Sequence, residues 1–105
     1  MPETLTVHRW TEHGSPDERV LTRRLEAEGY DVFRWSDPPG MRYSAHAHGE
    51  DQSHWILRGA LALEVGGTEY VLQAGDRDVL PAGTVHAARV VGEENVVYLI
   101  AAKRG

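Results

Sequence analysis

The chain has 105 residues, 41% hydrophobic and 26% charged, with a formal net charge of -5 and no cysteine. That length and balance suit one soluble domain with its own core, and the acidic charge supplies no basic face for nucleic acid. Without thiols, disulfides and thiolate metal sites are excluded, so any metal must rest on histidine, carboxylate, amide or water.

The N-terminus, Met1-Pro-Glu-Thr-Leu-Thr6, lacks the basic and apolar regions of a signal peptide, and no apolar run in the chain is long enough to span a bilayer. A cytoplasmic protein with no membrane partner is the expectation. The stretch Leu5-Thr-Val-His-Arg9 alternates weakly, as a short edge strand does. Ser15-Pro16-Asp17-Glu18 reads as a helix start, with Ser15 as N-cap, Pro16 in the first helical position and Glu18 three residues after the cap. Val20, Leu21 and Leu25 give that helix one apolar stripe on an otherwise charged surface, and Gly29 ends it. Residues 1–29 thus form an N-terminal extension with a surface helix.

From residue 30 onward, alternation of period two replaces helical spacing. Strands are predicted over residues 30–35, 41–48, 52–57, 61–65, 69–72, 78–80, 85–91 and 95–102, with a turn at Asp37-Pro-Pro-Gly40. Gly66-Gly67 between two alternating runs is a two-residue hairpin signal. Many short strands separated by turns make residues 30–105 an all-β sandwich or barrel, within a single domain overall.

Two stretches carry the chemistry. Residues two apart on a strand share a face, so His46 and His48 project together while Ala47 turns away. Gly49-Glu50-Asp51 reads as a turn, after which Gln52 can return beside the pair. Gly75, Pro81 and Gly83 then lead by tight turns to His86. A His-x-His pair taken alone reads more simply as two exposed strand histidines. Three imidazoles brought together would suit a divalent first-row ion and leave coordination positions free.

These stretches resemble the paired motifs of the cupin superfamily. The first is a glycine, five residues, His-x-His, three residues, an acidic slot, six residues and a glycine, matched by Gly40, His46, His48 and Gly59. The second is a glycine, five residues, Pro-x-Gly, two residues and a histidine, matched by Gly75, Pro81, Gly83 and His86. The resemblance implies a double-stranded β-helix (jelly-roll, cupin) barrel, here with a short N-terminal α-helix, and one divalent transition metal near its centre. Zinc and iron(II) are the leading ions, with manganese and nickel as further candidates. The implied ligands are His46, His48, His86 and the residue in the acidic slot.

That slot holds Gln52, and the final asparagine slot of the second motif holds Val90. A glutamine ligates only through its neutral carbonyl oxygen, which leaves the ion its full charge and favours Lewis-acid chemistry or an anionic ligand. Alternatively, Gln52 hydrogen-bonds inside the barrel and touches no metal. His54 shares the parity of Gln52 and is a candidate for proton transfer, second to that a ligand, or otherwise a hydrogen-bonded barrel histidine. Arg42 and Ser44 share the parity of His46, so an inward Arg42 would hold a carboxylate or enolate, while an outward one is a surface arginine. Glu50 is read as a turn residue facing water. Trp55 and Leu57 point away from the metal and mark either a homodimer surface or the floor under the helix. Phe33 and Trp35 are expected in the core or the pocket wall, and His8 and His13 at the surface. The function expected is that of a metal-dependent enzyme acting on a small oxygen-bearing molecule, of Lewis-acid (isomerase, cyclase or lyase) or dioxygenase type. The alternatives are a non-catalytic cupin that binds or senses a small molecule, and a structural dimer without chemistry.

Overall fold

Alternation of apolar and polar residues builds two antiparallel sheets that bury their apolar faces against each other. The computed structural model describes residues 3–104, and its elements run β1 (Thr6–His8), α1 (Glu18–Ala27), β2 (Tyr30–Asp37), β3 (Arg42–His46), β4 (Gln52–Arg58), β5 (Ala60–Val65), β6 (Thr68–Gln73), β7 (Arg77–Val79), β8 (His86–Val91) and β9 (Val96–Lys103). One sheet has the order β1-β7-β4-β9-β2 and the other β3-β8-β5-β6. Inward residues of both, among them Ile56, Leu61, Leu63, Leu72, Leu80, Val90 and Val96, form one core that Leu5 also enters. This is the all-β jelly-roll barrel the sequence implied. No helix among the described residues is long and apolar enough to cross a membrane.

The hairpin joining β5 to β6 turns at Gly66 and Gly67, both with positive φ (59° and 81°), as the tight hairpin signal requires. Gly59, between β4 and β5, has φ 76°, and a Cβ there would sit 2.6 Å from the Asn95 carbonyl oxygen. Only glycine allows the chain to turn that close to the β8–β9 connection.

The N-terminal segment is integrated with the barrel. Strand β1 pairs with β7 through Thr6–Val79, Val7–Asp78 and His8–Arg77. The helix begins later than Ser15 and Pro16 suggested. Asp17 is its N-cap, its carboxylate accepting from the Arg19 and Val20 N–H groups at 2.9 and 3.1 Å. A carboxylate also suits the positive end of the helix dipole, so Asp17 displaces serine from the role. Leu21 and Leu25 cover Tyr30, Trp55, Leu99 and Ala101 in a second cluster, against which Leu57 packs. Trp55 points away from the cavity as expected, but the helix covers it, so it marks no dimer surface. Arg77 lies 5.0 Å over the Trp55 ring and pairs with Glu28 at the end of the helix (2.7 Å), fixing α1 to the sheet.

Candidate metal centre

The histidine cluster arises where the edge of the smaller sheet meets a stitched pair of loops. His46 and His86 are cross-strand neighbours, the last residue of β3 opposite the first of β8. His48 lies just beyond β3, where regular pairing no longer orients it. Its position is set by the Pro81–Gly83 turn instead: the Gly83 N–H donates to the His48 carbonyl at 2.9 Å, and the Thr84 N–H to the Pro81 carbonyl at 3.2 Å. The Ala82 N–H donates to the Asp51 carboxylate (2.8 Å), and Gln52 exchanges backbone bonds with Leu80 at 2.8 and 2.9 Å. The second sequence motif is therefore bonded at several points to the loop of the first.

Ring centroids lie 4.3 Å apart for His46–His86, 4.9 Å for His46–His48 and 5.0 Å for His48–His86. One nitrogen from each falls within 4.8 Å of the others. Two nitrogens on one tetrahedral ion are about 3.3 Å apart, given bonds near 2.0–2.1 Å, so small ring movements close the gap. His46 and His86 engage the backbone carbonyls of Ser44 and Thr84 through Nδ1 (2.7 and 2.9 Å). Those bonds place the proton on Nδ1 and leave Nε2 as the ligating atom, the arrangement that orients metal-binding imidazoles. Burial and the neighbouring His46 hold the His48 pKa below the ordinary value. Burial does the same at His86, opposed by its bond to Thr84 and helped by the adjacent rings. Both are thereby kept neutral and competent to bind a cation. The donor set fits a divalent first-row ion.

Gln52, from β4, is buried and lines the same cavity. Its amide nitrogen donates to Glu50 Oε1 at 2.8 Å, which turns the carbonyl oxygen, the only atom able to ligate, to the other side. Glu50 itself is exposed in its turn. His54, two residues on, is buried, and its ring lies 6.5 Å from that of His86. Its Nδ1 meets Asp78 Oδ2 at 2.9 Å, and its backbone N–H donates to the other carboxylate oxygen. Burial acts to lower the His54 pKa, but the charge of Asp78 and its hydrogen bond outweigh burial, so the net shift is upward. Asp78 is fully buried on β7. Its place beside His54 went unread because a three-residue strand carries too little pattern to predict a partner. Its alternation with Leu80, which enters the core, was the available signal.

Arg42 does not face this cavity. Tyr43 pairs with Ala88 and His46 with His86, so β3 spends three residues where β8 spends two. That bulge reverses the side-chain parity between Tyr43 and His46. Arg42 and Ser44 line a groove with Glu64, Glu69 and Arg89 on the outer side, and Tyr43 takes the inward position. The cavity is about 260 Å³, walled by Trp35, Tyr43, Leu61, Leu63, Tyr98 and Ile100 beside the polar residues. Trp35 is the wall residue expected, whereas Phe33 is 58% exposed and belongs neither to the core nor to the wall. His8 and His13 are exposed, as read.

Behind the aromatic wall is a carboxylate that sequence reasoning passed over as part of a turn. Asp37 is 2% exposed. It accepts from the Tyr43 hydroxyl (2.7 Å), the Tyr98 hydroxyl (2.9 Å) and the Trp35 indole N–H (3.1 Å). These bonds join β2, β3 and β9 across the gap between the two sheets. Burial, with Asp37 adding to it, raises the pKa of both tyrosines.

Two facing sheets with a histidine cluster at one edge of the enclosed cavity define a small barrel of the double-stranded β-helix class. A family model described as the cupin domain matches residues 33–102, and the chain belongs to that family. No curated protein matches the sequence. Among solved structures, a cupin-2 domain containing protein from Shewanella frigidimarina is similar, with 22% identity over 72% of each chain and a TM-score of 0.62. A protein described as a predicted oxalate decarboxylase from Thermotoga maritima has 23% identity over 77% of this chain and 72% of its own, with a TM-score of 0.65. The DMSP lyase DddQ from Ruegeria pomeroyi has 23% identity over 72% of this chain but only 39% of its own, with a TM-score of 0.65. At these identities the likeness is one of fold.

Proposed function

We propose that the protein is a metal-dependent cupin enzyme acting on a small oxygen-bearing organic molecule. The observation that carries this reading is the convergence of three imidazoles on one apolar-walled cavity, with a buried histidine–carboxylate pair beside them. His46, His48 and His86 would hold the ion, with the Gln52 carbonyl as a fourth donor. A divalent ion in such a site supplies Lewis-acid polarisation of a carbonyl or enol oxygen, or, as iron(II), reactivity toward dioxygen. With an amide in the slot where a carboxylate would offset its charge, Lewis-acid chemistry is the better match.

The remaining roles belong to the chain itself. An ionised Asp78 only accepts hydrogen bonds, so it fixes the proton on His54 Nδ1 and leaves Nε2 as the exchangeable position. The raised pKa favours a second proton on His54, which it would deliver to bound substrate. Leu61, Leu63, Ala88 and Ile100 exclude water and bind the apolar body of the ligand. The acting species is expected to be cytoplasmic and homodimeric.

Metal analysis of untagged protein tests the centre. Bound metal should be present in wild type and absent in His46→Ala and His86→Ala; equal content in all three would sink the reading. Turnover of a panel of enols, diketones and keto acids separates an enzyme from a carrier or sensor that merely binds them. Oxygen uptake with iron(II) would identify the dioxygenase branch.

A further inference from the structure

The aromatic wall carries three hydrogen-bond donors, and one carboxylate takes all of them. The protons of the Tyr43 hydroxyl, the Tyr98 hydroxyl and the Trp35 indole are each directed at Asp37. Each of these groups has a single proton to give. Tyr43 also accepts from the Trp35 indole at 3.3 Å, which leaves its oxygen one further lone pair. Trp35, Tyr43 and Tyr98 line the cavity, and with their protons committed to Asp37 none has a donor left for it. Among the described residues no cation pairs with Asp37, so nothing competes with the aromatic donors for its oxygens.

We infer that Asp37, acting through Tyr43 and Tyr98, sets the hydrogen-bond polarity of the cavity, so that its ligand is a small, largely apolar molecule bearing a hydroxyl or N–H donor at the aromatic wall. A ligand presenting only an ether, ester or ketone oxygen there would find no donor among these three side chains. Asp37 is in this sense a positioning residue, since it acts through the two phenols. The raised pKa of both tyrosines keeps them protonated, and therefore committed, across the physiological range. The inference rests on the cavity being the substrate site and specifies the substrate class: hydroxylated or enolic rather than fully etherified or esterified.

Phenol and anisole differ by the donor alone. The cavity of about 260 Å³ accommodates either, given that an engineered cavity of about 150 Å³ takes benzene. Binding to the full-length protein, treated with a chelator so that no metal bond contributes, is followed by NMR at the Trp35 indole N–H, assigned with Trp35→Phe. Phenol should bind about 3- to 10-fold more tightly than the more hydrophobic anisole, the ratio that one net hydrogen bond supplies. Asp37→Asn returns an N–H to the network, releases a phenol proton toward the cavity, and should abolish or reverse the preference. Tyr43→Phe, which removes one of the three donors to Asp37 together with that phenol oxygen, should reduce it. Equal or tighter binding of anisole to wild type, no saturation by either probe, or a preference unchanged in both variants would overturn the inference. Zinc content measured on the same variants before chelator treatment separates the two ideas: zinc bound with no phenol preference sinks this inference alone, and a preference without zinc binding sinks the metal reading alone.

Discussion

Two buried carboxylates stand behind the lining of the same cavity, each bonded to residues of its wall, and are satisfied in opposite ways. Among the described residues, Asp78 is met by an imidazole and by the backbone N–H of the same residue. Asp37 is met by three neutral donors. Burying a charge is costly unless hydrogen bonds replace water, and both sites meet that condition. The consequences differ. An imidazole partner couples Asp78 to proton uptake, whereas phenols with raised pKa make the Asp37 network a fixed dipole. On the proposed reading, one side of the cavity would move a proton and the other would recognise a group without exchanging one.

The largest expected effect tests whether these two sites are independent of the histidine cluster. His86→Ala should abolish stoichiometric zinc binding, measured by elemental analysis, while leaving the Trp35 indole resonance that reports on Asp37 in place. A shift of that resonance comparable to the one caused by Asp37→Asn would show that the sites are not separable.

Next in size is Asp37→Ala, which orphans three donors in a water-poor site. It should cost roughly 2–4 kcal/mol in urea unfolding, with Asp37→Asn costing less because it still accepts. Equal losses for the two variants would mean that shape, not hydrogen bonding, is what Asp37 supplies.

Asp78→Asn should cost about 1–3 kcal/mol and, unlike Asp37→Asn, change the pH dependence of stability. The folded-state pKa of His54 is raised above its ordinary 6.5. Its stabilisation is therefore fully present below about pH 6.5 and lost as pH rises through the folded value. His48 and His86, with lowered values, act with the opposite sign: their contribution is present above about pH 6.5 and lost as pH falls. Urea midpoints of wild type minus Asp78→Asn cancel the latter pair. That difference should shrink as the solution becomes more alkaline; a flat difference would remove His54 from any proton-transfer role. The smallest effect is expected for Tyr43→Phe, about 1 kcal/mol in the same assay, with no change in pH profile.

Much of the architecture was legible because its signals are local. The apolar runs of β5 and β9, the Gly66-Gly67 hairpin and the glycine-punctuated approach to His86 each act within a few residues. Gln52 lines the same cavity as the histidines, but from β4 in the other sheet rather than from a strand running back beside β3. Of the two readings of Arg42, inward or surface, the structure has the second: one extra residue in β3, which no composition rule marks, exchanged its face with that of Tyr43. Ser15 failed as a cap because Asp17, in the same short stretch, makes the same bonds with a charge.

The sequence by itself determined the strand alternation, the turns, the absence of thiolate chemistry and the identity of the three imidazoles. Tertiary structure decided which groups those imidazoles would work beside. Asp78 reaches His54 from 24 residues away, and Asp37 reaches Tyr98 from 61. Such partnerships depend on sheet order, register and a single bulge. These are properties of how strands close on one another, and the energy that fixes them is spread over the whole barrel rather than written in any one segment.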